Sequence, residues 1–455
     1  MPRGEITVDR PARDLADYRR REQALFAEVA TRLHREEPRL PPLSRFDPAS
    51  PTYPGRFGDW NRTFEMPAAG APRGSVLLLH GLSDSPYSLR SIGALLASRG
   101  FAVVGLRVPG HGTVPGALAA VTREDWRAAV RLGAKAAATR GGQGPLLFVG
   151  YSNGAALALD YALAARGDAA LPRPDGLVFL SPAMAVTGAA RLGRIGALAS
   201  KLPGFEGMEW DPVLPEYDPF KYNSFPIAAG YEIHALTVEI ESRLAALDGD
   251  AAAASLPPVL TLQSVVDATV PPVPSLTRLY SRVFDESSEL VLFDANRNAT
   301  VAPFLAPSVD DLLALATPGR TFRFSVTLVT NESSASDRVV ARTRAGGAPT
   351  ATVEPLDLAW PPGVYSLAHV SLPFPPDDPV YGMSAPSSGP LPLGRLELKG
   401  ERGAFLVPAE LLSRLRYDPF FTYVATRVAR FAERAVARSA ARTPAPSPAP
   451  DAPLR

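Results

Sequence analysis

Short, wholly apolar runs recur along the first half of the chain. Ser75–Leu79 (SVLLL), Phe101–Leu106 (FAVVGL), Leu146–Val149 (LLFV) and Leu177–Leu180 (LVFL) are each too short for a helix and show no polar alternation. Between them Tyr87–Ser98, Glu124–Thr139 and Ala155–Ala165 carry helical spacing. Strands with no polar face are buried on both sides, and strands alternating with helices give a parallel sheet covered on both faces, an α/β fold. The alternation stops at Ser181-Pro182. It resumes with Val259–Val266 (VLTLQSVV), a helix near Pro274–Val283, and Glu289–Phe293 (ELVLF). It stops again over 301–363, where Phe322, Phe324, Val326 and Leu328 alternate with polar residues as in a half-exposed strand. With a polar turn at Asn331–Asp337 and a second strand-like piece at Arg338–Arg344, this region predicts a β-meander insertion.

The ends differ from the middle. Leu15, Tyr18, Leu25, Val29 and Leu33 lie at near-helical spacing among charges and predict an amphipathic helix that docks on something. Residues 38–58 are proline-rich and read as an extended connection, and Asn61–Met66 as a first strand. Asp418-Pro419 is a helix start, cap followed by first-turn proline, and Phe421, Val424, Val428 and Phe431 give that helix one apolar face. The expected organisation is an N-terminal extension (1–72), a core in three parts (73–181, 257–300 and 364–438), a cap or lid (182–256), a β-rich insertion (301–363) and a Pro/Ala-rich tail (439–455) disordered by composition. The 48 prolines in 455 residues, about twice the usual ~5%, fall largely in the additions to the core.

Bulk composition mainly excludes. The net charge of +1, from 47 basic and 46 acidic residues, lacks the clustered excess of Lys and Arg that nucleic acid requires. The absence of cysteine removes disulfides, thiolate metal sites and a cysteine nucleophile. The opening MPRGEITVDRP has no apolar signal region, and no apolar run reaches the ~18 residues of a membrane span, so a cytoplasmic protein is expected. Near-neutral charge lends no support to membrane-surface contact.

Gly150-Tyr151-Ser152-Asn153-Gly154 fits G-x-S-x-G. The pattern is weak alone and gains weight from its setting, with LLFV before it and the helix-forming AALALDYALAA after it. A serine on a tight strand-to-helix turn needs glycine neighbours. It projects above the sheet at a helix N-terminus, whose dipole favours developing negative charge. The alternative is a plain helix cap. A serine hydroxyl needs a base, and there are five histidines. His34, His80 and His111 precede the serine. In elbows of this kind the order is nucleophile, acid, base, which favours His369 and leaves His234 as the alternative. Asp267, directly after VLTLQSVV, is the expected acid. Asp294, after ELVLF, is its rival, and Asp310 and Asp311 lie in a less regular stretch. A turn at His80-Gly81-Leu82 can aim the Leu82 N–H at the same point as the N–H of Asn153, making an oxyanion hole. His80 itself, and His111 in Pro109-Gly110-His111-Gly112, read as loop architecture.

LLLHGLSDSPYSLR (77–90), RGFAVVGLRVPGHGTVPGAL (99–118) with EDW (124–126), VGYSNGAALAL (149–159) and VVDATVP (265–271) together resemble the α/β-hydrolase superfamily, and within it the monoglyceride lipase, carboxylesterase and lysophospholipase-like group. The resemblance implies an α/β-hydrolase fold with an inserted cap. It implies Ser152 as nucleophile, Asp267 as acid and His369 as base, no metal or organic cofactor, and an ester or lipid substrate bearing an acyl chain. Thioesterases and acyltransferases use the same triad, and a binding protein can keep the fold without the chemistry. Three features depart from the family: the extension 1–72, Asn153 in the elbow, and the 102 residues from Asp267 to His369. Phe205, Met208, Trp210, Phe220, Tyr222 and Phe225 are expected either to line an apolar groove or to pack the cap on the core.

Overall fold

The computed structural model describes residues 4–36, 40, 41, 43–184, 210–247, 256–270, 272, 279, 280, 286–306, 322–383, 393–396 and 407–442. The expected helix near 274–283 falls largely outside these residues, as do Phe205, Met208, Asp310, Asp311 and the tail beyond 442.

Among the described residues ten strands form one sheet, in the order β1-β3-β2-β4-β5-β6-β7-β8-β9-β10. The apolar runs make β2 (Gly74–Leu79), β3 (Phe101–Leu106), β4 (Leu146–Tyr151), β5 (Gly176–Leu180), β6 (Val259–Ser264) and β7 (Glu289–Phe293), every residue of them buried. These pair in parallel, and β8 (Ser325–Asn331) extends the parallel run beside β7. The short β1 (Phe64–Met66) closes one edge antiparallel to β3. At the far edge β9 (Arg338–Arg344) and β10 (Thr352–Ala359) run antiparallel. The two strands expected in an insertion, with β10 beyond them, therefore continue the central sheet and form no layer of their own. Their alternating pattern reflects an edge with one solvated face.

Helices cover both faces. On one, α3 (Arg123–Arg140) and α4 (Asn153–Ala165) bury Trp126, Val130, Leu157 and Leu159 against Leu77, Leu79, Phe148 and Phe179. On the other, α2 (Arg90–Ser98) and α6 (Phe421–Arg442) bury Ile92, Leu96, Val428 and Phe431 against Val76, Val149 and Val178. The helix α5 (Ile227–Ala245), placed within the cap by sequence, packs instead against α4 and α3, through Ile233, Leu236 and Ile240. It thickens the helical layer. Among the described residues, no helix is long and apolar enough to cross a membrane.

The amphipathic helix α1 (Leu15–Glu36) docks on the core through a buried charge cluster. Arg107, just past β3, has no exposed surface. Its Nε donates to Glu22 at 2.8 Å and its terminal nitrogen to Glu5 at 2.9 Å. The Tyr18 hydroxyl donates to the Arg107 carbonyl at 2.8 Å, and Thr63 bridges Glu22 to the Arg107 N–H. Burial pushes the Glu22 carboxyl up despite the guanidinium. Two buried carboxylates facing one cation tolerate its loss poorly, because a buried charge without a partner is expensive. Arg107→Met is expected to lower unfolding free energy at pH 8 by about 3–5 kcal/mol in urea titrations. The loss should shrink at pH 5, where protonation can neutralise Glu22. A pH-independent change below about 1 kcal/mol would contradict this account of the extension.

Candidate active site

Ser152 stands between β4 and α4 with φ 53° and ψ −115°, a left-handed conformation that non-glycine residues rarely adopt. The turn around it holds the strain. The Ser152 N–H donates to Leu180 O at 3.0 Å, and its carbonyl accepts from Ala155 and Ala183 at 3.0 and 3.1 Å. The two motif glycines have no alternative. A Cβ on Gly154 would lie 1.9 Å from the Leu79 carbonyl oxygen, and one on Gly150 would lie 2.5 Å from the backbone of Ala155. The serine Oγ makes no hydrogen bond to another described residue.

Asp267 lies just past β6, and His369 lies on an irregular segment beyond β10. His369 Nδ1 and Asp267 Oδ2 are 2.7 Å apart, and both side chains are buried. The other carboxylate oxygen, Oδ1, accepts from the N–H groups of Thr269 and Val270 at 2.9 and 2.8 Å. With both oxygens engaged, the carboxylate orientation is fixed and the Nδ1 proton has one destination. The elbow itself reaches this pair. Tyr151, immediately before Ser152, donates its hydroxyl to the His369 carbonyl at 3.3 Å and packs its ring 5.3 Å from the imidazole. It is a contact the G-x-S-x-G pattern leaves unspecified.

The rivals are placed elsewhere. Asp294 is bonded to Arg297, Thr330 Oγ1 and the Ala295 N–H. His234 lies on α5 with a buried Nδ1 that has no partner among the described residues. The side chain of His34 lies outside the described residues.

His80 explains the geometry of the Leu82 turn. The Val108 N–H can only donate, so His80 Nε2 is its acceptor at 3.0 Å, and Nδ1 carries the proton to Gly81 O at 2.9 Å. In a trans peptide the Leu82 N–H points opposite the Gly81 carbonyl, so a histidine that grips one aims the other. The N–H of Asn153, first residue of α4, has no intrahelical acceptor. Ser83, next in the turn, has φ 64°, and its carbonyl accepts the Tyr222 N–H at 2.8 Å, while Lys221 Nζ lies 3.5 Å from Asp84. Burial raises the Asp84 carboxyl, against the pull of Lys221.

Phe220 and Tyr222 fall on the packing side of the alternative left open by sequence. Phe220 stacks on Tyr87 at 3.8 Å, and the Tyr222 hydroxyl donates to Gly110 O at 3.0 Å. Phe225 is partly buried against the main core, and Trp210 is half-buried. Among the described residues no cluster of His, Asp and Glu could hold a metal ion.

Residues 70–207 match a family model described as serine aminopeptidase, S33. The matched span carries the Leu82 turn, β2 to β5 and the Ser152 elbow in order. The fold is that of an α/β-hydrolase, and over this span the chain matches a serine-hydrolase family model. A search of curated proteins gave no match. Among solved structures, the chain is similar to metagenome-derived lipolytic enzymes (LipS and LipT) at 22% identity, over 56% of its length and 97% of that chain, with a TM-score of 0.42. It is also similar to a monoacylglycerol lipase of Paleococcus ferrophilus at 17% identity, over 49% and 83% of the two chains, TM-score 0.35. A soluble variant of the Saccharomyces cerevisiae monoglyceride lipase gives 15% identity, 47% and 76% coverage, and a TM-score of 0.36.

The histidines beneath the Leu82 turn bear on the protein's pH range. Burial holds His80 well below the usual histidine value and brings His111, 4.9 Å away ring to ring, down to about 4. A histidine depressed in the folded state stabilises fully above its unfolded pKa, and that contribution is lost as pH falls below it. Thermal unfolding temperature is therefore expected to drop as pH falls from about 6.5 toward 4. His111→Gln, which cannot take up that proton, should lose less over the window. Parallel curves for the two proteins would rule His111 out.

Proposed function

We propose that this protein is a serine hydrolase that cleaves carboxylic esters bearing an acyl chain (acyl esters, monoacylglycerols or lysophospholipid-like molecules) by two-step acyl transfer. The observation that carries the reading is a strained, half-buried serine at a helix N-terminus, one residue after a tyrosine that contacts a buried histidine whose Nδ1 is 2.7 Å from a carboxylate. In this reading His369 Nε2 takes the Ser152 proton as Oγ attacks the ester carbonyl. The N–H groups of Leu82 and Asn153 hold the oxyanion. Asp267 keeps the proton on Nδ1, which leaves Nε2 free as the base, and stabilises the imidazolium that forms. His369 then protonates the leaving alcohol. Water, activated by the same imidazole, releases the acid and restores Ser152. The open Ser152 Oγ is compatible with this, since such bonds often tighten only when substrate is bound.

Among the described residues no uncommitted carboxylate beside the elbow could receive a substrate amino group, which favours ester over peptide. Asp84 is opposed by Lys221, and both oxygens of Asp267 are taken. The test is a panel of p-nitrophenyl esters graded by acyl length, with aminoacyl p-nitroanilides as the peptidase arm. The expected outcome is ester turnover that falls by about 10⁴-fold or more in Ser152→Ala, and comparably in His369→Ala. Undiminished turnover in Ser152→Ala would defeat the assignment. Turnover of the anilides alone would replace the ester reading with a peptidase one.

A further inference from the structure

The loop after β7 carries no histidine, yet it is built as tightly as a site. Its centre is Asn296, buried, with its backbone N–H and both side-chain polar atoms in use. The Asn296 N–H donates to Tyr365 O at 2.8 Å, and Nδ2 donates to Val364 O at 3.1 Å. Oδ1 accepts the Asn298 N–H and Asn331 Nδ2, each at 3.0 Å. The Asn298 N–H can only donate, which fixes which end of the amide is oxygen and so gives Val364 the NH₂ end. Asn331, at the end of β8, is held in turn by the Arg297 N–H at 2.7 Å and donates to Ser336 O at 2.8 Å. The loop thus ties together the end of β7, the end of β8 and residues 364–365.

Those last residues lie four and five positions before His369. From Ala359, where β10 ends, to His369 the chain has no helix or strand to hold it. A base must be held to within about 0.5 Å of its productive position, and side chains on irregular segments achieve this only through specific bonds. Downstream, His369 is held by Asp267 and Tyr151. Upstream, the Ala368 carbonyl accepts from Ser371 within the same turn, and the nearest bonds from another part of the fold come from Asn296, at Val364 and Tyr365. We propose that Asn296 is a positioning residue for His369: it fixes the backbone at 364–365 so that the imidazole meets Asp267 and the elbow. The inference rests on the reading of His369 as the base.

Asn296→Asp separates this role from simple stability. The two side chains have the same shape, and the carboxylate keeps the acceptor used by Asn298 and Asn331. The other oxygen cannot donate to Val364 and faces its carbonyl with like polarity. Asn298→Ala is the control, because that half-buried side chain bonds Asp337 and Thr300 and makes no hydrogen bond to 364–365. The readouts are kcat and KM on a p-nitrophenyl ester, and the low-field proton resonance of the His369 Nδ1–H bonded to Asp267, which needs no substrate. Misplacing a reacting group by about 1 Å costs on the order of 10²-fold. For Asn296→Asp the expected result is a kcat lower by about tenfold to a hundredfold, a KM within about twofold, and a low-field signal shifted or broadened; Asn298→Ala should match the wild type. A kcat within twofold of wild type, or a lower kcat with an unmoved signal, overturns the proposal. If Asn296→Asp fails to fold, Asn296→Ser, too short to reach Val364, is read by the same criteria. A wild-type protein that turns over no ester defeats the ester reading alone. The low-field signal then decides for Asn296: moved supports it, unmoved overturns it.

Discussion

The contact between His369 Nδ1 and Asp267 Oδ2 joins two parts of the chain 102 residues apart, and much of the architecture can be read as what makes that contact possible. Between the two residues the polypeptide completes β7, adds β8 to the parallel run, turns back through β9 and β10, and returns along an irregular segment to the mouth of β6. Closing a loop of that length has a modest entropic cost, because the cost grows only with the logarithm of length. Precision is the harder requirement. It is met by hydrogen bonds from three directions: Asp267 at the ring, Tyr151 at the His369 carbonyl, and Asn296 at the backbone just upstream.

Strain and its containment recur around this contact. Ser152, Ser83 and Ser181 all have positive φ. Each costs of order 1–3 kcal/mol and persists only where neighbours leave no other conformation. At Ser152 the packing of Gly154 against Leu79 O and the three backbone bonds of the turn do this. At Ser83 the Tyr222 N–H does so from a segment that is itself held by Arg45 and Asn61 of the N-terminal extension. The extension therefore helps to hold the Leu82–Ser83 turn, and the buried Arg107 cluster anchors it to the sheet.

The parallel strands were legible in sequence because burial on both faces leaves no polar position, and the elbow because a serine there requires glycine on either side. Asp267 and His369 could be singled out by order along the chain and by the scarcity of histidine. Other features are set by contacts distant in sequence and leave no local period or motif. Val326 and Leu328 alternate with polar residues whether β8 starts a separate meander or extends the main sheet; pairing with β7 decides. The apolar face of α5 serves equally to cap a groove or to cover α4. Phe220 and Tyr222 are aromatic in either role. Tyr151 and Asn296 act through a hydroxyl and an amide on partners 218 and 68 residues away, a relation that no single-sequence pattern records.

The central claim is that one serine, activated by one imidazole, carries the reactivity of the molecule. Intact-mass and peptide mapping after treatment with a fluorophosphonate addresses it without any assumption about substrate. The expected result is a single phosphonyl adduct on the peptide containing Ser152, formed by the wild-type protein and lost or strongly slowed in His369→Asn. An adduct on another residue, or labelling of Ser152 at an unchanged rate in His369→Asn, would contradict the account.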